Sequence, residues 1–246
     1  MSEEILHLIQ SRESSRGPFD MGRPVSDSDL ERILEAGRWA PTAHNMQNFD
    51  IMVVDDPAVL EAIARLRNPI SMEFVRENYA QLSFSEEELR RRKTGVLATR
   101  FPPAWSKPDA TQAELAAADR PLPGCPTLLF MTYDPRNRAP ASEGDFLGAI
   151  SLGCVTENMW LMAASMGIGF QIVSSLAGGA IAAEVKRILA IPERLRIVYA
   201  IRLGYALSKA PAEGTAAAAG GSYIRVRRDI ADFAYRNRFG QKQRSR

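Results

Sequence analysis

The chain has 246 residues, of which 46% are hydrophobic and 24% are charged, and its formal net charge is +2. This length permits one large domain or two small ones, and the composition is ordinary for a soluble globular protein. The two cysteines, Cys125 and Cys154, provide neither a disulfide framework nor a Cys-x-x-Cys pair, which fits a reducing cytoplasm.

Positive charge is concentrated at the C-terminus. From Tyr223 onward there are eight basic and two acidic residues, so the rest of the chain is acidic overall. Because the basic segment is short, we interpret it as a solvated tail or a local phosphate contact rather than a nucleic-acid-binding surface. The N-terminus lacks a signal pattern, and no apolar run is predicted to span a bilayer. We therefore expect a cytoplasmic protein with no nucleic-acid or membrane partner.

Hydrophobic periodicity predicts helices and strands along most of the chain. Helices are predicted at residues 3–11, from the cap at Ser26 to Pro41, and at 58–66, 145–166 and 181–189; strands are predicted at 49–54, 127–133, 170–173 and 196–205. Few strands without strict alternation with helices favour an α+β fold. The inward faces are predicted to consist of Ile5, Leu6 and Ile9 in the first helix, and of Leu147, Ile150, Cys154, Leu161 and Ser165 in the long one.

Two stretches have no clear pattern of this kind. Residues 67–126 combine a charged helix candidate at 85–100 with scattered aromatic side chains. We interpret this stretch either as a lid over a site or as a peripheral subdomain that buries its own aromatic residues. Near the C-terminus, a Gly/Ala-rich link at 214–222 precedes a basic arm at 223–240 that is partly helical in pattern.

Several common catalytic motifs are absent from the sequence. The stretch from Gly167 to Ile172 lacks the third glycine of a dinucleotide fingerprint and follows a predicted helix instead of a strand. There is no P-loop and no Gly-x-Ser-x-Gly elbow. The only histidines are His7 and His44, so we expect neither a zinc site nor a hydrolytic triad. Such a chain can still be an enzyme if a cofactor carries the chemistry.

Two segments point to a nucleotide-like cofactor. Residues 12–16 read Arg-Glu-Ser-Ser-Arg and place two guanidinium groups and two hydroxyls at a helix end, a set that suits a phosphate. Residues 40–47 form a loop with amide side chains, whose donors and acceptors can bind the edge of a flat heterocycle.

These segments also resemble a known family. The Arg12-x-Ser14-x-Arg16 stretch ending at Phe19 is similar to the opening motif of the nitroreductase family of FMN flavoproteins. The turn at residues 40–42 and the Asn45-x-Gln47 motif follow in the family's order, although Asn48 and Phe49 stand where Pro-Trp is usual. The resemblance continues in the helix ending at residue 169, the strand at 200–205 and the arm at 227–233.

The resemblance implies a fold and an assembly. The fold would be a mixed, mostly antiparallel sheet flanked by helices, in a single domain over residues 1–246. A lid-like insertion would occupy about 68–122, and a C-terminal exchange arm about 214–246. The protein would be an arm-exchanged homodimer with two FMN molecules in its interface.

The resemblance also implies roles for particular residues. Around the phosphate and the ribityl chain it places Arg12, Glu13 (through its backbone), Ser14 and Arg16, with either Arg227 or Arg228 as a further cation. From the other subunit, the loop of Pro41, Thr42, Ala43, Asn45 and Gln47 would approach the cofactor. Val173 and Ser174 would lie along the flavin ring, with Ser174 near N5. No side chain is expected to be catalytic, because FMN carries the chemistry.

The implied activity is a ping-pong oxidoreduction. NADPH or NADH would reduce FMN, which would then reduce a nitroaromatic, a quinone or a similar flat, electron-poor acceptor. Two alternatives remain open. One is reductive dehalogenation of a halogenated phenol, although Glu73, Glu77, Tyr79 and Lys93 do not match the spacing of that branch's lid. The other is a flavin-binding protein without catalysis.

Overall fold

The computed structural model describes residues 1–66, 91, 124–142, 144–207 and 227–241. Apart from Arg91, the predicted lid-like insertion, the charged helix within it and the Gly/Ala-rich link lie outside these residues. The described residues fall into two compact units: residues 1–66 and 124–207 belong to the first, and residues 91 and 227–241 to the second.

The predicted helices and strands of the first unit are all present. The helices are α1 (Ser2–Ser11), α2 (Asp27–Arg38), α3 (Pro57–Ala64), α4 (Phe146–Ser165) and α5 (Gly179–Leu189). The strands are β1 (Asp50–Val54), β2 (Thr127–Tyr133), β3 (Gly169–Val173) and β4 (Arg196–Gly204). The Ser26 hydroxyl accepts a hydrogen bond from the Asp29 N–H, so Ser26 caps α2 as predicted.

The four strands form one antiparallel sheet in the order β1-β2-β4-β3. Every residue of β2 is buried. This agrees with its continuous apolar sequence, because a central strand covered on both faces needs no polar side. The sheet and its flanking helices confirm the α+β prediction, whereas the arm-exchanged dimer stays a prediction.

Helices cover both faces of the sheet. On one face, α2 and α4 pack against Leu129, Met131 and Ile201, and Ile33 and Met159 lie in the same core. On the other face, α3 and α5 enclose a second core whose buried members include Ile63, Val185, Leu128, Phe130 and Ala200.

The face that α4 buries differs from the predicted one. Ile150 is 49% exposed and Ser165 is exposed. The side chains that enter the core are instead Leu152, Val155, Thr156, Met159, Trp160 and Ala163. The prediction was wrong because α4 is apolar on nearly every side, so periodicity does not define one inward face. By length and composition α4 could also cross a membrane, but core helices pass the same test and α4 lies on the sheet.

The apolar side of α1 is also not buried within the chain. Ile5, Leu6 and Ile9 are 54%, 46% and 43% exposed, and none of the ten residues of α1 is buried. The helix is present as predicted and contacts α4, but the described residues of this unit leave about half of each of these three side chains exposed. An amphipathic helix of this kind is stabilised by packing its apolar side against a partner.

The Gly167-Ile168-Gly169 stretch forms the turn that ends α4. Gly167 has a φ of +70°, a conformation that glycine adopts without strain. The Ile168 N–H donates to the Ala163 carbonyl at 2.9 Å, and the Gly167 N–H donates to the Ala164 carbonyl at 3.1 Å. These two bonds form a Schellman motif that ends the helix. The first glycine therefore terminates α4 and, as the sequence predicted, does not open a dinucleotide fold.

Candidate active site

Residues 12–16 lie along the free edge of β3. Ser14 forms a parallel bridge with Phe170, and the Ser15 N–H donates to the Phe170 carbonyl at 3.0 Å. This close approach requires glycine at position 169. A Cβ there would lie 2.6 Å from Phe19 Cε1 and 2.8 Å from Ser15 Oγ, both shorter than van der Waals contact. The segment predicted to bind phosphate is thus held against an edge strand.

Arg12 is held in an aromatic and acidic setting. Its guanidinium carbon lies 4.5 Å from the centre of the Trp160 ring, which stacks on Phe170 with centroids 4.9 Å apart. One terminal nitrogen is 3.5 Å from a Glu157 carboxylate oxygen, and the side chain is 23% exposed. The Trp160 indole N–H donates to the Glu13 carbonyl at 3.3 Å, so the backbone of Glu13 is fixed as well.

The Nε of Arg12 is buried and has no hydrogen-bond partner among the residues that the structure describes. A buried guanidinium N–H without an acceptor is unfavourable, and anionic oxygens are its strongest acceptors. The segment also supplies the hydroxyls of Ser14 and Ser15 and the half-buried Arg16. This donor set fits a phosphate or another small anionic group, and the binding of a phosphate by these residues stays a prediction.

Val173 and Ser174 end the same edge strand. Val173 is 6% exposed, whereas Ser174 is exposed and its carbonyl accepts the Ala177 N–H at 3.0 Å. From Phe170 to Val173 the strand extends by roughly 10 Å, at about 3.3 Å per residue. The structure therefore places two of the predicted groups, residues 12–16 and residues 173–174, along one edge.

The loop of residues 41–47 has an unusual backbone. His44, Asn45 and Gln47 have φ values of 51°, 52° and 46°, in the left-handed region that non-glycine residues seldom adopt. Thr42 contributes to holding it, since its Oγ1 accepts the Gln47 N–H at 3.1 Å. Ala43 donates its N–H to Ser151 Oγ of α4 at 2.9 Å. Such backbone conformations persist where the surroundings fix them, and they cluster at functional sites.

Asn48 fastens the end of this loop. Its side-chain amide donates to the carbonyls of Asp134 and Asn137 at 2.8 and 2.7 Å, and its Oδ1 accepts the Asp134 N–H at 3.2 Å. The residue that replaces the family's usual proline therefore fixes the loop through hydrogen bonds. It also joins the loop to the turn after β2.

We expect Asn48→Ala to lower the free energy of unfolding by about 1.5–4.5 kcal/mol, because three hydrogen bonds are lost and each contributes about 0.5–1.5 kcal/mol. Urea unfolding followed by circular dichroism measures this difference. Asn137→Ala is the matched control, since it keeps the backbone carbonyl that Asn48 uses. Equal stability of the two variants would show that Asn48 does not hold the loop.

The loop and residues 12–16 lie at opposite edges of the sheet. The loop leads into β1 at one edge, and residues 12–16 follow β3 at the other. Three strand spacings of about 4.8 Å separate the two edges by roughly 14 Å. The two groups also lie towards opposite ends of the sheet. The loop leads into β1, whose Asp50 pairs with Thr132 next to the end where Tyr133 pairs with Arg196. Ser14 instead bridges Phe170, which pairs with Leu203 at the far end of β4. One chain alone does not bring the two predicted halves of the site together.

A cavity of about 340 Å³ opens between α4 and the end of the sheet where Tyr133 pairs with Arg196. The sequence did not predict its polar groups, because its tyrosines belong to strands that read as uniformly apolar. The Tyr133 hydroxyl donates to Asp145 at 2.6 Å and accepts from Arg196 at 3.2 Å. Burial, and then the bond to Asp145, raises the pKa of Tyr133. The cavity is lined by Tyr133, Asp145, Ala149, Leu152, Gly153, Thr156, Glu157, Trp160, Ile172, Val198 and Tyr199.

A second feature that the sequence did not predict is the fully buried Arg202 of β4. Its guanidinium donates to Gln171 Oε1 at 2.5 Å and to the Gly124 carbonyl at 2.8 Å, and lies 4.7 Å from the centre of the Phe19 ring. Burial lowers the pKa of Arg202 and raises that of the neighbouring Cys125 thiol. We interpret the pair as structural: it fastens β3 beside the segment that precedes Phe19.

Arg227 and Arg228 belong to the second unit. There the Arg228 guanidinium lies 5.6 Å from the centre of the Phe233 ring, and a short 3-10 turn at Ile230–Asp232 follows. Their predicted contact with the phosphate stays a prediction.

Comparison with known proteins identifies relatives of this chain in sequence and in fold. An NADPH-dependent oxidoreductase of Staphylococcus haemolyticus is 24% identical over 204 residues, which cover 83% of this chain and 65% of that relative. The chain thus spans just under two thirds of the length of this curated relative. The NADPH:FMN oxidoreductase of Vibrio harveyi, solved with NAD+, shares the fold at a TM-score of 0.58 and 17% identity, covering 97% of this chain and 79% of that one.

An FMN-bound nitroreductase of Bacteroides fragilis also shares the fold, with a TM-score of 0.52 and 21% identity over 85% of this chain and 91% of that one. Identities at this level establish the fold alone. Membership follows from the sequence itself, since residues 9–205 match the Nitroreductase family. The chain therefore belongs to the nitroreductase family.

Proposed function

We propose that this protein is an FMN-dependent NAD(P)H oxidoreductase that reduces flat, electron-poor aromatic acceptors such as nitroaromatics or quinones. The observation that carries the proposal is the buried Nε of Arg12, which has no partner among the described residues, in the same segment as the hydroxyls of Ser14 and Ser15. This donor set fits the phosphate of FMN. FMN in related structures, and the NADPH dependence of the staphylococcal relative, support the same cofactor and electron donor.

The family resemblance implies the roles of the residues along this edge. Arg12, Ser14 and Arg16, with the backbone of Glu13, would hold the phosphate and the ribityl chain. Val173 and Ser174, at the end of β3, would lie along the ring, where the exposed Ser174 would donate a hydrogen bond near N5. When bound, FMN accepts a hydride from NAD(P)H and passes the electrons to an acceptor. The chain's own residues bind and orient the reactants.

A second copy of the chain would complete the site. Pro41, Thr42, Ala43, Asn45 and Gln47 cannot reach their own β3 edge, because three strand spacings intervene. The exposed apolar residues Ile5, Leu6, Ile9, Phe146 and Ile150 provide surface for such a homodimer. Arg227 or Arg228 would add a cation to the phosphate, as the family resemblance implies.

An anaerobic spectroscopic titration tests this function. Purified protein should be yellow, and adding NADPH or NADH should bleach the flavin absorbance in proportion to the FMN content. A nitroarene or quinone should then restore the absorbance. Colourless protein that takes up no FMN would contradict the proposal.

The same titration separates the alternatives. Recovery of absorbance with a halogenated phenol, but not with a nitroarene or a quinone, would identify a reductive dehalogenase. FMN that binds but is not bleached by either nicotinamide would identify a flavin-binding protein without catalysis.

A further inference from the structure

Four arginines cluster at the end of the sheet where β2 ends and β4 begins. Arg136 and Arg138 belong to the turn after β2, and Arg194 and Arg196 to the start of β4. All four are exposed. Tyr133 of β2 pairs with Arg196 of β4, which brings the two pairs of arginines together. We call these four residues the arginine cluster.

Asp134 orders half of the arginine cluster. Its carboxylate accepts two hydrogen bonds from the Arg136 guanidinium, at 3.0 and 2.7 Å, and one from the Arg136 N–H at 3.0 Å. The Arg194 Nε lies 3.8 Å from the same carboxylate. The side-chain hydrogen bond from Arg136 is the main reason that the pKa of Asp134 is lowered to about 2. Asp134 therefore stays ionised at neutral pH and keeps both guanidinium groups in place.

The other two arginines are not neutralised to the same degree. Arg196 donates to the Tyr133 hydroxyl, which in turn donates to Asp145. The guanidinium of Arg138 forms no ion pair or hydrogen bond with any residue that the structure describes. Four guanidinium groups thus share the carboxylates of Asp134 and Asp145, which leaves a surplus of positive charge for an anionic ligand.

The arginine cluster has a fixed position relative to the proposed flavin site. Asn48 joins the turn that carries Arg136 and Arg138 to the loop of residues 41–47 through the Asp134 and Asn137 carbonyls. In addition, β4 is the direct neighbour of β3, and Val173 at the end of β3 pairs with Ala200. The start of β4 at Arg196 lies four residues further, about 13 Å along the sheet in the direction in which β3 runs. A dinucleotide with its nicotinamide on the ring would have its phosphates within reach of this region.

We propose that the arginine cluster binds the 2′-phosphate of NADPH, with Arg136, Arg138 and Arg194 as its ligands, and so makes NADPH the preferred electron donor over NADH. The inference rests on the proposed function. A phosphate monoester carries close to two negative charges at neutral pH and three acceptor oxygens, whereas NADH has a neutral hydroxyl at that position. Planar guanidinium groups match a phosphate with paired hydrogen bonds, which makes arginine better suited than lysine.

Calorimetry with adenosine 2′,5′-bisphosphate and 5′-AMP tests the proposal on the FMN-loaded protein. The two probes differ in the 2′-phosphate. We expect the bisphosphate to bind at least about tenfold more tightly, as one or two charge-assisted hydrogen bonds provide. Its affinity should fall as salt is added, because exposed charges are screened. Equal affinity for the two probes would overturn the proposal.

Arg138→Ala is the most informative variant, since its side chain has no described contact that folding would lose. It should reduce the preference for the bisphosphate about tenfold and lower kcat/KM for NADPH while leaving that for NADH unchanged. Arg138→Lys should keep part of the preference. The matched control is Arg187→Ala on α5, where an exposed arginine pairs with Glu184. An unchanged preference in Arg138→Ala and in Arg136→Ala would contradict the assignment.

The flavin spectrum separates failure of this inference from failure of the proposed function. Protein that retains FMN and oxidises NADH and NADPH equally well, with no preference for the bisphosphate, would exclude the arginine cluster as a phosphate site but leave the function intact. Protein that binds no FMN would contradict the function, while calorimetry with the same two probes on the apoprotein would still report whether the arginines recognise the 2′-phosphate.

Discussion

Arg12→Met is expected to produce protein that folds but loses its flavin during purification. The substitution keeps an unbranched side chain over Trp160 but removes the guanidinium whose buried Nε lacks an acceptor. Hydrogen bonds to charged groups contribute about 1.5–3 kcal/mol each, so the Kd for FMN should rise by roughly 10- to 150-fold. Fluorescence quenching of free FMN titrated with apoprotein measures this change.

Two further variants define what the loss of Arg12 means. Arg12→Lys keeps the charge without the fork of donors, so it should show an intermediate Kd. Arg65→Ala, just after the end of α3, removes an exposed arginine paired with Glu61 and should leave the Kd unchanged. If Arg12→Met retained wild-type affinity while remaining folded, the phosphate would have to be bound elsewhere.

Gly169→Ala is expected to destabilise the protein and to weaken FMN binding together. The added methyl group would meet Phe19 Cε1 at 2.6 Å and Ser15 Cβ at 2.9 Å, so residues 12–16 must move away from β3. Overpacking of this kind costs about 1–3 kcal/mol. Thermal unfolding of the apoprotein gives the stability change, and FMN titration gives the affinity change.

Gly148→Ala is the matched control. Gly148 lies inside α4, and a Cβ there would have Asp145 Oδ1, at 4.0 Å, as its nearest contact. Because alanine favours a helix over glycine by about 0.5–1 kcal/mol, this variant should be as stable as the wild type or more stable. A Gly169→Ala protein with the melting temperature and the FMN affinity of the wild type would contradict the close packing at this edge.

The sequence predicted the helices and strands, and it singled out residues 12–16, because these depend on local signals. Periodicity located each helix and strand of the first unit within a few residues. The charged and hydroxyl side chains at residues 12–16 predicted an anion-binding segment, and the structure places an unpartnered guanidinium nitrogen there.

What the sequence did not predict depends on contacts between distant residues. The inward face of α4 was wrong because an almost uniformly apolar helix has no preferred side until its neighbours are known. Nothing near Asn48 in the sequence indicates that its partners are Asp134 and Asn137, more than eighty residues away. The burial of Arg202 was equally hidden, since arginine is rarely fully buried.

The separation of the loop and the β3 edge across the sheet has a thermodynamic consequence. If each site takes one wall from each of two chains, binding of the prosthetic group and association of the chains are linked equilibria. Flavin binding would then strengthen dimerisation by the same free energy by which dimerisation strengthens flavin binding. Dilution would favour dissociation of the subunits and release of the flavin together. A substitution in the loop of one chain would impair the chemistry carried out on the edge strand of its neighbour.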